Sequence, residues 1–440
     1  MSRKLRYYTR LTYAFLSRFK GLLIIGFLIG LAIFFVSAYL IPRYFGFQKI
    51  RIGVTGRFTI DNLPDEITHQ ISSGLTYINN NGEIEPAIAS NWYTHDKGKT
   101  WTFEINEGAT WQNSENITSS DIKYTFSDVT VSYPNDNTIE FKLNDEYAPF
   151  PYVVSRPVFK SGLLGTSDWN VTDIKLNGNF IQELSIKNGK SIKIYKFYPT
   201  EESTKMALKL GSIDQIAQVY DPAPFQNWNT LKIEESESTY NIVTLFFNTQ
   251  DKYLSEKSLR QALYYAIQKD DYKDQRAAGP IPPLSWAYNP QIKTYDYNPE
   301  RAKELVGDLP EELKTDLNIQ LVTTPSLLAV AEKIVQDWKN VGIESHLLVS
   351  STIPTEFQVF LAIFDPPTDP DQYSTWHSTQ TSTNISRYKN PRIDKLLEDG
   401  RIALDMEERR KIYLDFQRFL LEDVPAAFLY YPRVFKISRN

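Results

Sequence analysis

The sequence predicts a mixed α/β protein of two or more lobes, carried behind one N-terminal transmembrane helix. Three observations lead there. The chain has 440 residues, more than one ordinary hydrophobic core holds. Apolar runs of strand period and of helix period follow one another irregularly, as mixed sheets covered by helices require. A single long uncharged stretch stands near the start.

That stretch is GLLIIGFLIGLAIFFVSAYLI, residues 21–41. As a helix it spans about 31 Å, one hydrocarbon core. Arg3, Lys4, Arg6, Arg10, Arg18 and Lys20 precede it without an acid. The positive-inside rule therefore keeps residues 1–20 in the cytoplasm and sends the rest outside. The alternative is a cleaved signal peptide with Val36, Ser37 and Ala38 at its cleavage site, although the apolar run exceeds the usual length. No other stretch approaches eighteen apolar residues. The expected localisation is the cell membrane, single-pass, with the large domain extracytoplasmic.

Along the large domain, KIRIGVTGRFTI (49–60) opens as a strand. KTWTFEI (99–105) sets Trp101, Phe103 and Ile105 on one face, and NTIEFKL (137–143) and SIKIYKF (191–197) repeat the alternation. In SEKSLRQALYYAIQ, Ser255 is the expected cap of a helix with Leu259, Ala262, Leu263, Ala266 and Ile267 on one stripe. Arg260 falls on the opposite face, where an ion pair is expected. Asn298 caps the next helix, with Pro299 in its first turn. Leu327, Ala331, Ile334, Val335 and Trp338 stripe another, which Gly342 stops before the strand IESHLLV. A last helix covers about residues 406–421. No repeat and no composition break divides the domain, so two lobes require the chain to pass between them more than once.

Composition narrows the function. Hydrophobic content of 42% and charge of 23% are globular values. Aromatics reach 14%, most of them expected to be packed, Trp92, Trp101 and Trp111 included. The absence of cysteine excludes disulfides, a thiol nucleophile and a lipid-modified N-terminal cysteine. His69, His95, His346 and His377 have no metal-binding spacing. No P-loop, G-x-G-x-x-G or G-x-S-x-G occurs, so no metal, no cofactor and no enzymatic activity is expected. Residues 1–47 hold seven Lys and Arg and no acid, so the remainder carries −12 against −5 for the whole chain. Such a domain lacks the basic face that nucleic acid requires and suits cationic or zwitterionic ligands.

One segment stands apart. DPPTDPDQYSTW, residues 365–376, holds three carboxylates, three prolines and two aromatics. Each proline removes a backbone donor and fixes φ, which makes a stiff loop. Read alone, Asp-Pro-Asp is a structural turn. A calcium loop would need Gly at its sixth position and Glu at its twelfth.

Several stretches, in order, resemble one family. GEIEPAIASNWYTHDKGKTWTFEINEGATWQNSENITSSDIKYTF (82–126) is similar to the signature of the extracellular solute-binding proteins, family 5, that serve oligopeptide, dipeptide and nickel ABC importers. Pro86, Ala89, Trp92, Trp101, Phe103 and Asp121 occupy the matching places. FFNTQDKYLSEKSLRQALYYAI (246–267) resembles the family's F-N-T segment through Asn248, Thr249 and Arg260. YNPERAKELV, IVQDWKNVGIESHL and the C-terminal block from Asn390 to Pro432 follow the same pattern.

The resemblance implies a two-lobed periplasmic-binding fold of type II with mixed sheets, the chain crossing its hinge twice. Lobe I would be about 48–245 with 425–440, and lobe II about 246–424. In the family the aromatic-acid segment lines the cleft and its first Asp grips a peptide's α-ammonium. This places Asp365 there, or Asp369 because one extra residue follows the first acid, with Tyr373 and Trp376 as aromatic walls. GRFTIDNLP (56–64) matches a cleft-facing loop and brings Thr59 to the ligand. His377 is expected at the surface. The segment between DIKYTF and NTIEFKL is shorter than the family's helical insert, which bears on cavity size.

The implied function is capture of a peptide or other small solute by lobe closure, as a monomer, and its delivery to ABC permease subunits. Alternatives are a sensor or structural surface protein with a reduced cleft, or a binder of a nickel chelate. A hydrolase using two of the acids has no nucleophile motif behind it.

Overall fold

The computed structural model describes residues 3–45, 47–238, 240–272, 274–350 and 352–440. The N-terminal helix is Arg3–Phe45. Its stretch Tyr7–Val36 is long and apolar enough to cross a membrane, and the side chains described there are exposed.

Lobe I is built on a seven-stranded sheet. Its spatial order is Leu231–Glu237, Arg433–Arg439, Gln215–Val219, Gln48–Thr55, Ser191–Tyr198, Phe180–Asn188 and Asn170–Asn177. Gln48–Thr55 runs parallel to both of its neighbours, and the remaining pairs are antiparallel. The sheet is therefore mixed, as the sequence predicts. A separate four-stranded sheet follows the order Ala89–Thr94, Thr100–Ile105, Thr138–Leu143, Val129–Asn135. Trp101, Phe103, Trp111, Phe141 and Phe150 form its core, with Trp92 packed against them. The shortened segment is part of this sheet, as the edge strand Val129–Asn135.

Lobe II has a five-stranded sheet in the order Glu344–Val349, Asn318–Thr323, Val359–Phe364, Ile242–Phe247, Ala426–Tyr430. Every residue of Ile242–Phe247 is buried, because helices cover both faces of this strand. Val243, Leu245 and Phe247 pack with Leu259, Leu263 and Trp338. Ile242 and Phe246 face Phe416 and Leu420 of helix Met406–Asp423.

These strands correct the expected lobe boundaries. Ile242–Phe247 pairs with Val359–Phe364 and Ala426–Tyr430, so residues 242–245 and 426–430 belong to lobe II. The chain crosses between Glu237 and Ile242 and returns between Tyr430 and Arg433. The two crossings are tied by Ser238 N donating to Pro432 O at 2.9 Å. They are two adjacent connections between the lobes.

Local signals hold with two adjustments. The Asn298 side chain caps helix Pro299–Gly307 by accepting from Arg301 N at 2.9 Å. Gly342 takes φ +86° after helix Leu328–Asn340, a conformation that suits glycine. Helix Lys257–Tyr265 starts after Glu256, which makes no side-chain cap, and the Ser255 hydroxyl donates to Lys252 O instead of capping. Arg260 is buried and donates to the carbonyls of Leu254, Ser255, Asp423 and Val424. It satisfies carbonyls at the end of helix Met406–Asp423 instead of meeting a carboxylate.

Candidate ligand-binding cleft

A cavity of about 1040 Å³ lies between the lobes. Lobe I supplies Asp65, Glu66, Tyr147 and Arg156 to its wall, and lobe II supplies Asp365 and Tyr373. Tyr240 and Asn241, from the first crossing, line it too. The shortened lobe I thus leaves a space at the top of the roughly 300–1,000 Å³ range of small-molecule sites.

Asp365 directly follows strand Val359–Phe364, whose last side chain is buried. Phe364 anchors the strand end and Pro366 is buried behind it, so the stiff segment turns Asp365 into the cleft. Opposite are Asp65 and Glu66 in the first turn of helix Asp65–Ile71, where the amides of a helix start favour acids. Asp365 is exposed to the open cavity; its partial enclosure there pushes the carboxyl above the usual range, and the charges of Glu66 and Asp65 add to the rise. Among the described residues no cation pairs with any of these three carboxylates. Arg156 lines the same cavity but is not among the charges that act on Asp365.

The other acids of the segment are committed. Asp369 is 6% exposed and receives both terminal nitrogens of Arg409, at 2.8 and 3.1 Å. Arg409 is fixed further by donating from Nε to Gly400 O. Asp369 also accepts from Asp371 N at 3.0 Å. It cannot serve as an ammonium partner without breaking a buried bidentate pair. Asp371 is held by Arg401, 3.3 Å from Nε. Burial raises its pKa, with Arg401 acting against that rise.

Of the two aromatic expectations, Tyr373 faces the cleft and Trp376 does not. The short helix Tyr373–Trp376 leaves Tyr373 partly exposed and drives Trp376, 0% exposed, into the core. There Trp376 stacks near Phe246 and meets Phe364 and Phe428 edge-on. Its Nε1 donates to Gln372 Oε1 at 2.7 Å. His377 is buried as well, stacked on Tyr373 at 4.0 Å between ring centres, with Nε2 3.4 Å from Glu398. Thr59 precedes a 3₁₀ turn and its carbonyl accepts from Asn62 N. It is not among the residues lining the cavity. The loop's contribution to the wall comes a few residues later, from Asp65 and Glu66.

Residues 83–193 and 192–384, more than half of the chain, match the family model described as bacterial extracellular solute-binding proteins, family 5 Middle. The chain belongs to this family. Heme-binding protein A of Haemophilus influenzae is 24% identical over 428 residues, 78% of each chain. The oligopeptide-binding protein OppA of Bacillus subtilis is 22% identical and covers 84% of each. Among solved structures, NikZ from Campylobacter jejuni in complex with Ni(L-His) superposes with a TM-score of 0.73 at 21% identity, over 89% of this chain and 94% of that one. That likeness is one of fold.

In this family 5 protein the lobes also touch through a cluster that sequence reasoning missed. Arg401 of lobe II lies 4.3 Å from the Tyr373 ring centre and 4.8 Å from that of Tyr147 in lobe I. The Tyr147 phenol interacts with Asp371, and burial together with that carboxylate pushes its pKa up. Behind Arg401 is a second cavity of about 610 Å³ that shares Tyr147, Tyr373 and Arg401 with the first. No spacing in the sequence joins residues 147 and 401. Asp65 and Glu66 did carry a signal, as acids at a helix start, but that pattern reads equally as ordinary helix stabilisation.

Proposed function

We propose that the protein is a membrane-anchored, extracytoplasmic binding protein that captures short peptides between its lobes and hands them to the permease of an ABC importer. The observation that carries this reading is that Asp365, Asp65 and Glu66 line one cavity from opposite lobes, close enough for the charges of the last two to act on the first. Three carboxylates without a cation repel one another as the lobes close, and a ligand ammonium between them turns that repulsion into attraction. Closure then depends on the ligand, and no catalytic step is needed. Arg156 on the same wall suits the opposite end of a zwitterion. A peptide-binding relative such as OppA supports the ligand class, and the apolar stretch Tyr7–Val36, long enough to cross a membrane, supports anchoring. The protein acts as a monomer.

The test is calorimetry on the full chain in detergent, comparing trialanine with its N-acetyl form. A sheltered carboxylate–ammonium contact contributes about 1.5–3 kcal/mol, so acetylation is expected to weaken binding at least tenfold. Equal affinities would remove the ammonium from the site. For the anchor, carbonate-washed membranes should retain the chain at its full mass. A released chain lacking about forty N-terminal residues would replace the anchor with a cleaved signal.

A further inference from the structure

Lobe I contains a third cavity, of about 690 Å³, that opens from the cleft. Glu66 and Gln218 belong to the walls of both. The cavity floor is apolar: Ile52 and Val54 on strand Gln48–Thr55, with Ala217 and Val219 on the neighbouring strand Gln215–Val219. Phe58 and Ile67 close its sides. The two floor strands are parallel, and the lining reaches Thr55, Gln218 and Tyr220 at their carboxyl ends. Crevices at that end of parallel strands are where side chains and loops leave room for ligands. Helix Asp65–Ile71 is only seven residues long, so it covers part of this sheet face and leaves the groove beside it.

A polar cluster marks another part of the wall. Lys193 Nζ donates to Gln70 Oε1 at 2.6 Å, and Gln70 Nε2 donates to Tyr195 Oη at 3.1 Å. All three line the cavity. These three groups hydrogen-bond one another and make that part of the wall polar, while the floor of Ile52, Val54, Ala217 and Val219 offers an incoming group apolar surface.

We infer that this groove is a side-chain pocket that selects peptides with a bulky apolar residue at or next to the free α-ammonium. This rests on the peptide reading above and adds to it a preference in sequence. Position supplies the reason. Glu66 is one of the three carboxylates at the ammonium site and also stands at the mouth of the groove. A ligand whose ammonium is held there has its first side chains beside Ile52, Val54 and Ala217. A cavity of this size admits a phenylalanine or leucine side chain, and the apolar floor favours transferring such a group out of water.

The experiment uses the full chain in detergent and compares Phe-Ala-Ala, Leu-Ala-Ala and Ala-Ala-Ala by calorimetry. The bulky peptides should bind at least tenfold more tightly than trialanine. In Ala217→Phe, which fills the groove, the ratio should fall toward one. Equal affinities for the three peptides in the wild-type protein would overturn the pocket and leave the peptide reading standing. No binding of any of the three would overturn both. A readout independent of variant folding is photo-crosslinking with a peptide carrying p-benzoylphenylalanine at its first position. Attachment within residues 50–58 or 215–220 supports the pocket. Attachment confined to lobe II overturns it.

Discussion

Ala148 and Arg401 join the two lobes through the main chain: Ala148 N donates to Arg401 O at 2.6 Å. The side chain of Arg401 then lies between the rings of Tyr147 and Tyr373, with Asp371 fixing its position. A backbone hydrogen bond and a shared guanidinium therefore span the cleft beside the main cavity. If the lobes close on a ligand as proposed, this contact adds to what holds them together.

Arg401→Ala should loosen that contact. Each cation–π contact contributes about 0.5–1 kcal/mol when partly exposed, and the buried Asp371 would lose its cation. The expected result is a threefold to tenfold faster dissociation of bound peptide, with a more open average shape by small-angle scattering. Unchanged dissociation and shape would show that the lobes close without it.

Asp365→Asn should weaken binding of a free-amine peptide about tenfold or more while leaving the fold intact. It also carries a pH signature. The folded-state pKa of Asp365 lies above the ordinary carboxylate value, so the folded protein holds this proton more firmly than the unfolded chain does. Stability from this group is present below the ordinary pKa and is lost as pH rises through the folded one. In the Asp365→Asn protein that decline should be missing, with equal or greater stability at neutral pH. Calorimetric melting between pH 3 and 8 checks the sign.

Asp369→Ala should do the reverse. It leaves Arg409, 2% exposed, charged and without its bidentate partner. The expected loss is about 3–5 kcal/mol of stability, measured by urea unfolding. A variant as stable as the parent would mean that water replaces the carboxylate at no cost.

Lys269 gives a fourth prediction. It is buried, donates to the carbonyls of Tyr264 and Ile267, and burial lowers its pKa to about 7. The unfolded chain therefore binds this proton more tightly than the folded one, and stability should rise with pH from about 7 toward the ordinary lysine value near 10.4. The slope from this group is at most about 1.4 kcal/mol per pH unit. Lys269→Met should flatten it. An identical slope in the variant would assign the rise to other groups.

The lining of the candidate cleft was legible where one segment carried the information. Asp365 and Tyr373 lie within nine residues of each other on a proline-stiffened loop, and both face the cleft. Asp369 and Trp376, in the same segment, point inward. Their partners Arg409, Phe246 and Phe428 come from elsewhere in the chain. An Asp beside a proline reads the same whether an arginine forty residues later reaches it or not. The family resemblance indicated a cleft-facing loop but not which of its side chains would face inward, so Thr59 was expected where Asp65 and Glu66 stand.

By itself the sequence determined what depends on neighbours along the chain: the apolar N-terminal helix, the alternating strands, the caps at Asn298 and Gly342, and a motif order that fixes the family. Tertiary structure decided what depends on groups distant in sequence. It set the crossing between Glu237 and Ile242, assigned Ala426–Tyr430 to lobe II, and chose which acids pair and which remain free. Hydrophobic period and turn chemistry act over a few residues. Burial, charge pairing and the shape of a cleft are set by whatever the fold brings alongside.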